Sequence, residues 1–162
     1  MKIKLFATGG TFDEEYDEIN QHLNFRETHV PQMLKLGRCM IDIDVRTLMM
    51  IDSREMKESD RKVILENCKN TKEDRIVITH GTDTMAVTAR FLGKQIKNKT
   101  IVLTGAISPY AFGSSDGLFN LGCAIAFVQV LPKGVYVTMN GKYFKCDNVK
   151  KNLMTGIFEE IK

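Results

Sequence analysis

The sequence lacks the residue patterns that mark metal sites, disulfide frameworks and membrane segments. Its 162 residues include only four cysteines, with no CxxC pair, and three histidines without HxxxH or HExxH spacing. A zinc site and a disulfide framework are therefore not expected. No run approaches the roughly 18 apolar residues that span a bilayer, and the apolar start of the chain is too short for a secretory signal. We expect a soluble, cytoplasmic protein that needs no metal.

A strong excess of one charge is also missing. Lysine and arginine number 23 against 20 aspartates and glutamates, which gives a net charge of +3, and no basic run of five or more residues occurs. Binding to nucleic acid or to an anionic membrane is therefore not expected. What is present is ordinary globular composition, with 43% hydrophobic and 27% charged residues. The length allows one domain with its own core.

Short apolar runs alternate with helical patterns along the chain. The runs are rich in β-branched residues and are closely followed by Gly, Thr or Ser, as in strands buried on both faces; they cover residues 3–7, 41–51, 76–78, 101–103 and 135–137. Helices are predicted between them, over 30–36, 59–68, 82–92 and 116–130. This alternation predicts a single α/β domain, three-layered α/β/α, around a parallel, flavodoxin-like sheet.

The segment from Phe12 to Glu27 does not fit either pattern, because it is polar and charged and has no clear period. It follows the first predicted strand, so it should lie at the carboxyl edge of the sheet, where ligands bind in such folds. We expect it to be a long mobile loop. A loop of about 15 residues without structure is uncommon unless it has a function.

Three small polar clusters follow predicted strands and should meet at that edge. In Thr8-Gly9-Gly10-Thr11, two glycines allow a sharp turn that presents Thr11. In Thr79–Met85, Thr82 and Asp83 should begin a helix, where backbone N–H groups stabilise anions. The third cluster is Leu103-Thr104-Gly105-Ala106, followed by Ser114-Ser115-Asp116-Gly117. Taken singly, each is explained as a turn or a helix cap, and the pair Lys150-Lys151 as solvated surface.

Taken together, the clusters contain the parts of a nucleophilic site. A threonine becomes a nucleophile only where a neighbouring group helps to remove its proton. A relay in which Asp83 orients a lysine and the lysine polarises Thr82 would do so. Backbone N–H groups of the glycine-rich turns would supply an oxyanion hole.

Several motifs carry a family resemblance. They are Thr8-Gly9-Gly10-Thr11, His80-Gly81-Thr82-Asp83-Thr84-Met85, Leu103-Thr104-Gly105-Ala106, Ser115-Asp116-Gly117, Phe119-Asn120-Leu121, Met139-Asn140-Gly141 and Lys151. Over essentially the whole chain the sequence resembles the bacterial-type L-asparaginase/glutaminase family. The resemblance implies a homo-oligomeric amidohydrolase without a cofactor. It would hydrolyse the side-chain amide of L-asparagine, or of a related small amide, to the acid and ammonia.

The resemblance also assigns catalytic roles. Thr11 matches the primary nucleophile and Thr82 the second catalytic threonine. Asp83 matches the acid that holds the substrate α-amino group and the relay lysine, and Lys151 matches that lysine. Tyr16 is the only candidate for the loop tyrosine that activates the nucleophile, although it lies closer to Thr11 than in the long family members.

The substrate-binding assignment extends to other turn residues. Gly10 and Gly81 are expected to line the substrate, and Ser53 to contact its α-carboxylate. Arg54 stands where the family has a glutamine that helps to bind the substrate α-ammonium. Two cations about 4 Å apart repel by roughly 1–4 kcal/mol, depending on screening. Free L-asparagine is then a less favoured substrate, and an extra carboxylate on the substrate could be favoured.

Arg54 is one departure from the family pattern, and the position of Lys151 near the end of the chain is another. The sequence resembles a short, single-domain branch in which residues 1–162 form the N-terminal-type domain and the C-terminal family domain is absent. Two alternatives to a self-sufficient enzyme stay open. One is a non-catalytic binding module for an acidic amino acid or a related metabolite, and the other is an amidase half that needs a partner subunit.

Overall fold

A six-stranded sheet forms the centre of the protein in the computed structural model, which describes residues 1–162. In chain order the elements are β1 (Lys2–Gly9), β2 (Glu14–Asp17), β3 (His22–Phe25), α1 (Val30–Leu36), β4 (Asp42–Ile51), α2 (Glu58–Asn70), β5 (Arg75–Thr79), α3 (Met85–Gln95), β6 (Thr100–Thr104), α4 (Gly117–Val130), β7 (Gly134–Met139), β8 (Lys142–Lys145), β9 (Lys150–Lys151) and β10 (Phe158–Glu159). Two single 3₁₀ turns, Thr11–Asp13 and Tyr110–Phe112, complete the list.

The strand order of the main sheet is β4-β1-β5-β6-β7-β8. The first five strands are parallel, and their order is the flavodoxin-like one. The predicted fold class is therefore confirmed. The sixth strand was not predicted: β8 pairs antiparallel with β7 through a turn in which Asn140 and Gly141 both have positive φ, as two-residue hairpin turns require.

Helices cover both faces of this sheet and give the predicted three layers. Side chains alternate along each strand, so Ile76 and Ile78 of β5 pack on the layer of α2 and α3, whereas Val77 packs on the layer of α1 and α4. None of the four helices has the length and apolar character needed to cross a membrane.

The predicted helices exist, and one begins later than predicted. Helix α3 begins at Met85 rather than at Thr82 or Asp83. The capping prediction for those two residues is wrong because they lie in the preceding turn, where both contact Lys151. Thr84 occupies the N-cap position, but its hydroxyl donates to the carbonyl oxygen of Ser53 at 2.8 Å instead of capping the helix.

The segment Phe12–Glu27 is ordered, which contradicts the prediction of an unstructured loop. It forms the first 3₁₀ turn and the hairpin of β2 and β3. The carboxylate of Asp17 closes the hairpin turn by accepting bonds from the N–H groups of Ile19 and Asn20, at 2.9 and 3.0 Å. At the base, the buried carboxylate of Asp13 accepts bonds from the His29 N–H group and the Thr28 hydroxyl. These local polar bonds replace the apolar alternation that would have revealed the strands in the sequence.

Candidate active site

Three turns meet where the strand order reverses between β1 and β5, the place where ligands bind in doubly wound sheets. The turn after β1 joins the end of β4 through a bond from the Gly10 N–H group to the Ile51 carbonyl oxygen, 2.9 Å. A Cβ atom built on Gly10 would lie 2.4 Å from Gly81 Cα, and one built on Gly81 would lie 2.6 Å from Ser53 Oγ. The two glycines therefore let the three backbones touch.

Lys151 reaches this edge and joins Thr82 to Asp83. Its Nζ atom donates to Thr82 Oγ1 at 2.8 Å and to Asp83 Oδ1 at 2.5 Å, and only 16% of its side chain is exposed. Strand β9 is held in place by its pairing with β10 and by Arg90 of α3, which donates to the Val149 carbonyl oxygen at 2.9 Å. The structure therefore brings together three of the predicted catalytic residues. Lys150, next to Lys151, is exposed and pairs with Glu159.

The hydrogen bonds of Lys151 leave the hydroxyl proton of Thr82 unused. Because Lys151 donates to Thr82 Oγ1, the threonine oxygen acts as acceptor and its own hydroxyl proton is available to another group. Asp83 holds the ammonium charge of Lys151 in place. The set can therefore pass a proton from Nζ through Oγ1 to a bound molecule and take one back.

Thr11 begins the 3₁₀ turn that follows the Gly9-Gly10 pair, and it is half-buried. Glu14 directly follows this turn, and its N–H group donates to the Thr11 carbonyl oxygen. Burial raises the pKa of Glu14 above its ordinary value, and the negative charge of Asp52 raises it further. The sequence reasoning did not select Glu14, because its position beside Thr11 depends on the 3₁₀ turn.

Arg54 is engaged by acids rather than left as a free cation. Its Nη2 and Nε atoms bind Asp52 Oδ2 at 2.5 and 3.0 Å, and its Nε atom lies 3.7 Å from Asp83 Oδ2. The hydrogen bonds from Arg54 lower the pKa of Asp52. The Arg54 side chain is 71% exposed, so it remains open to a carboxylate from solvent. Asp52 therefore offsets much of the repulsion expected between Arg54 and a substrate ammonium.

Ser53 and Tyr16 occupy opposite environments. Ser53 is 1% exposed; its hydroxyl packs against Gly81 and accepts a long bond from the Thr84 N–H group, 3.4 Å. Tyr16 lies on β2 opposite Leu23, is 52% exposed, and its hydroxyl has no hydrogen-bond partner. The proposed contact of Ser53 with a substrate carboxylate and the proposed role of Tyr16 both stay predictions.

A buried histidine supports the floor of the site. The Nδ1 atom of His80 lies 2.7 Å from the Gly81 carbonyl oxygen, which can only accept, so Nδ1 carries the proton. The Nε2 atom then accepts from the Thr88 hydroxyl at 2.8 Å, and Thr88 in turn accepts from Arg61 Nε at 3.0 Å. Burial lowers the pKa of His80 to about 4. His80 therefore positions the turn of Gly81 as a neutral imidazole.

The depressed pKa of His80 predicts acid sensitivity of the fold. The unfolded chain binds a proton near pH 6.5, whereas the folded chain resists it down to about pH 4. The free energy of unfolding is therefore highest above pH 6.5 as far as His80 is concerned. It falls by on the order of 3 kcal/mol as the pH drops from 6.5 to 4. Urea unfolding at pH 7 and pH 4.5 measures it. His80→Gln should remove this pH dependence, and His22→Gln, at an exposed position, should retain it.

The pH window separates this effect from those of the carboxylates. The pKa values of Asp17, Asp44 and Asp52 are lowered, so their contributions are lost only as pH falls below the ordinary aspartate range. Burial raises the pKa of Asp13, which acts in the opposite direction. Equal pH dependence in wild type and His80→Gln would contradict the assignment of His80 as a neutral, buried group.

No group of three or more His, Cys, Asp or Glu side chains is arranged to hold a metal ion. The functional candidates are instead two hydroxyls, that of Thr11 in the turn after β1 and that of Thr82, which is bonded to the Lys151–Asp83 pair. A hydroxyl with an acid–base partner and a second hydroxyl at the same sheet edge suit an acyl transfer.

The fold and this geometry define a doubly wound α/β domain with a threonine–lysine–aspartate set at its switch point. The chain belongs to the asparaginase family, since the family model described as Asparaginase, N-terminal, matches residues 2–157. This confirms the family that the motifs indicated in the sequence.

Individual relatives agree with this membership. The chain is 40% identical to L-asparaginase 2 of Escherichia coli K12 in an alignment 171 positions long, which covers 96% of this chain and 47% of that protein. Its structure is similar to that of the thermostable L-asparaginase from Thermococcus kodakarensis, with a TM-score of 0.88 and 29% identity. The match covers 99% of the present chain and 51% of the Thermococcus chain. The chain therefore spans about half the length of these relatives.

A third relative has a different name. It is a subunit of the glutamyl-tRNA(Gln) amidotransferase of Thermococcus kodakarensis, and it is 32% identical over 147 residues, which cover 86% of this chain and 33% of that protein. The chain is therefore similar in sequence to parts of proteins that carry different names.

Proposed function

We propose that the chain hydrolyses the side-chain amide of L-asparagine, or of a related small amide, with Thr11 as the nucleophile. The observation that supports this most strongly is the placement of Lys151 Nζ between Thr82 Oγ1 and Asp83 Oδ1, beside the turn that carries Thr11. A lysine held by an acid and bonded to a hydroxyl is an arrangement that can transfer protons in acyl chemistry.

The reaction runs in two halves. Thr11 Oγ1 attacks the amide carbon as its proton passes to the activating group, for which Tyr16 is the candidate, so that a C–O bond forms and the carbonyl oxygen becomes an oxyanion. Backbone N–H groups of the glycine-rich turns are suited to stabilise that oxyanion. The C–N bond then breaks while the Thr82–Lys151–Asp83 set gives the nitrogen a proton, and ammonia leaves. Water attacks the acyl carbon and returns a proton to that set, the ester C–O bond breaks as Thr11 Oγ1 takes its proton back from the activating group, and the acid is released.

The charges around the site restrict the substrate. Asp83 has Lys151 on one oxygen and Arg54 near the other, so it holds a substrate ammonium only in competition with two cations. Arg54 is exposed and can turn from Asp52 toward a carboxylate. We therefore propose a small primary amide that carries at least one carboxylate, with an additional carboxylate favourable and an α-ammonium less important than in a site without Arg54.

Release of ammonia tests the proposal. L-asparagine, L-glutamine, D-asparagine and succinamate are each incubated with wild type and with Thr11→Ala, which serves as a blank for contaminating amidases. We expect equal amounts of ammonia and acid from at least one amide with wild type. We expect none above background with Thr11→Ala, because the variant has no oxygen to form the acyl-enzyme. Equal release by the two proteins for every amide would contradict the proposal.

An amidase half that works with a partner subunit is the second candidate, favoured by the similarity to a subunit of an amidotransferase. Under this alternative, ammonia release depends on a protein that co-purifies with the chain from its native host. The third possibility, a binding module for an acidic amino acid, would give saturable aspartate binding in calorimetry without turnover. Homo-oligomerisation, the assignment of residues 1–162 as one self-contained domain, and a cytoplasmic location stay predictions.

A further inference from the structure

Arg61 is a buried cation on α2 whose hydrogen-bonding partners are all neutral. It is 9% exposed. Its Nε, Nη1 and Nη2 atoms donate to Thr88 Oγ1, to the Met56 carbonyl oxygen and to Thr84 Oγ1, at 3.0, 3.0 and 3.1 Å. A buried charge is costly unless its hydrogen-bonding groups are satisfied, and the rigid fork of a guanidinium fixes its partners in space. Arg61 therefore ties the turn after β4 to the start of α3.

The guanidinium also sets the direction in which both threonine hydroxyls donate. A guanidinium has donors and no acceptor, so each threonine oxygen accepts from it and gives its own proton elsewhere. The Thr88 hydroxyl donates to His80 Nε2 at 2.8 Å, since the alternative acceptor, Met56 Sδ, is weaker and lies 3.7 Å away. The Thr84 hydroxyl donates to the Ser53 carbonyl oxygen at 2.8 Å. Two chains of hydrogen bonds therefore leave one arginine.

The first chain ends at the peptide group between Gly81 and Thr82. His80 Nδ1 donates to the Gly81 carbonyl oxygen at 2.7 Å. In a trans peptide group the carbonyl oxygen and the following N–H group point in opposite directions, so this bond directs the Thr82 N–H group away from the buried histidine. The Thr82 N–H group has no backbone acceptor. It is therefore free to stabilise an oxyanion in a bound substrate.

The second chain ends at Ser53, in the turn after β4. The Thr84 hydroxyl holds the Ser53 carbonyl oxygen, and the Thr84 N–H group donates to Ser53 Oγ at 3.4 Å. Because Ser53 Oγ accepts this bond, its own proton can be donated elsewhere. The same oxygen lies 2.6 Å from a Cβ atom built on Gly81. The second chain therefore holds the turn of Ser53 against the turn of Gly81 and leaves one hydroxyl proton for a ligand.

Building on the proposed amidohydrolase function, we propose that Arg61 is a positioning residue that holds two parts of the site through two different threonines. Through Thr88 it directs the Thr82 N–H group at the oxyanion that forms during the reaction. Through Thr84 it keeps Ser53 in place to bind the substrate carboxylate. Arg61 itself touches no reacting atom, and both effects pass through neutral hydroxyls.

The two chains should affect different kinetic constants. An oxyanion exists only in the transition state, so a misplaced donor lowers kcat and leaves KM almost unchanged. A carboxylate is bound in the ground state and in the transition state alike, so a misplaced anchor raises KM with little change in kcat. Loss of a purely structural contact would instead lower the unfolding midpoint and leave both constants of the folded enzyme unchanged.

The experiment measures kcat and KM for L-asparagine and succinamate in valine variants of the two threonines. Valine matches the shape of threonine but has no hydroxyl. Removal of an oxyanion donor costs about 10²–10³-fold in kcat, so we expect its misplacement in Thr88→Val to lower kcat by at least about tenfold, with KM within about threefold of wild type. We expect Thr84→Val to raise KM by about tenfold, with kcat within about threefold.

Serine variants at the same positions test whether the hydroxyl is the cause. Thr88→Ser and Thr84→Ser retain the hydroxyl and lose a methyl group, so each should recover the constant that its valine variant loses. Thr88→Val with the kcat of wild type, Thr84→Val with the KM of wild type, or a serine variant no better than its valine variant would overturn the proposal.

Arg61→Met is compared with Arg75→Met, a matched control at the other end of β5. Arg75 Nη1 also donates to neutral oxygens, those of the Thr100 hydroxyl and of the Val128 and Leu131 carbonyls, at 2.9, 2.9 and 2.7 Å. Both variants should lower the unfolding midpoint by roughly 5–15 °C, and kinetics are therefore measured well below the lower midpoint. Only Arg61→Met should also lower kcat and raise KM. Equal losses of activity in the two variants would overturn the positioning role.

Backbone amide spectra give a readout that needs no activity. We expect the Thr82 N–H signal to move in Thr88→Val. The Arg54 N–H group shares a peptide group with the Ser53 carbonyl, so its signal should move in Thr84→Val. Neither signal should move in Arg75→Met. Wild type without activity on any amide would reject the proposed function, whereas unchanged signals of Thr82 and Arg54 in the valine variants would reject the positioning role itself.

Discussion

Lys151→Met is expected to lower kcat for amide hydrolysis by about 10³-fold with little change in the thermal unfolding midpoint. Methionine matches the length of the lysine chain but cannot donate to Thr82 Oγ1 or to Asp83. The leaving nitrogen then has no proton source, and the loss of a general acid–base group costs about 10²–10⁴-fold. The fold should persist, because Asp83 is 41% exposed and keeps Arg54 nearby. Steady-state ammonia release and a thermal melt measure the two quantities.

Lys150→Met is the matched control for this experiment. Lys150 precedes Lys151 on the same two-residue strand, but it is exposed and pairs with Glu159 on β10. An exposed ion pair contributes at most about 1 kcal/mol, so kcat should stay within about twofold of wild type. A similar loss of activity in both variants would mean that β9 matters as a packed strand. The assignment of proton transfer to Lys151 would then be contradicted.

The part of the fold that sequence could predict is the part built from buried, periodic segments. Ile76–Ile78 is apolar on every residue because its side chains enter two different layers of the core, and such a run predicts a central strand. The position of a strand end then places the polar residues after it at one sheet edge. For this reason the clusters of Thr11 and Thr82 could be expected, from the sequence alone, to approach each other.

The part that sequence could not predict depends on polar bonds and on long-range contacts. The hairpin of β2 and β3 is closed by Asp17 and tied down by Asp13, and neither bond leaves a periodic pattern. The contact between Lys151 and Thr82 joins residues 69 positions apart, so only the family resemblance could suggest it. No sequence pattern predicts the contacts of Arg61, since its partners are two threonine hydroxyls and one carbonyl oxygen.

Gly10→Ala is expected to destabilise the fold by about 2–6 kcal/mol and to impair activity. Gly10 has φ 76° and ψ −179°, a region that only glycine occupies readily, and strain there costs about 1–3 kcal/mol. The added Cβ atom would also lie 2.4 Å from Gly81 Cα and Gly81 N. Overpacking of this kind costs about 1–3 kcal/mol more. In a domain of this size the unfolding midpoint should fall by roughly 5–20 °C.

A second glycine separates strain from the clash. Gly113 also has a positive φ, 86°, but nothing lies within 4 Å of a Cβ atom built there, so Gly113→Ala measures backbone strain alone. Gly10→Ala should be the more destabilised of the two and should also lose about 100-fold in kcat, because relief of the clash moves Thr11 away from Thr82 and a displacement of about 1 Å can cost that much. Equal melting points for the two variants, with full activity in Gly10→Ala, would contradict the contact between the turns of Gly10 and Gly81. That contact places the two threonines at one site, so the same result would also remove the geometric basis for a shared catalytic centre.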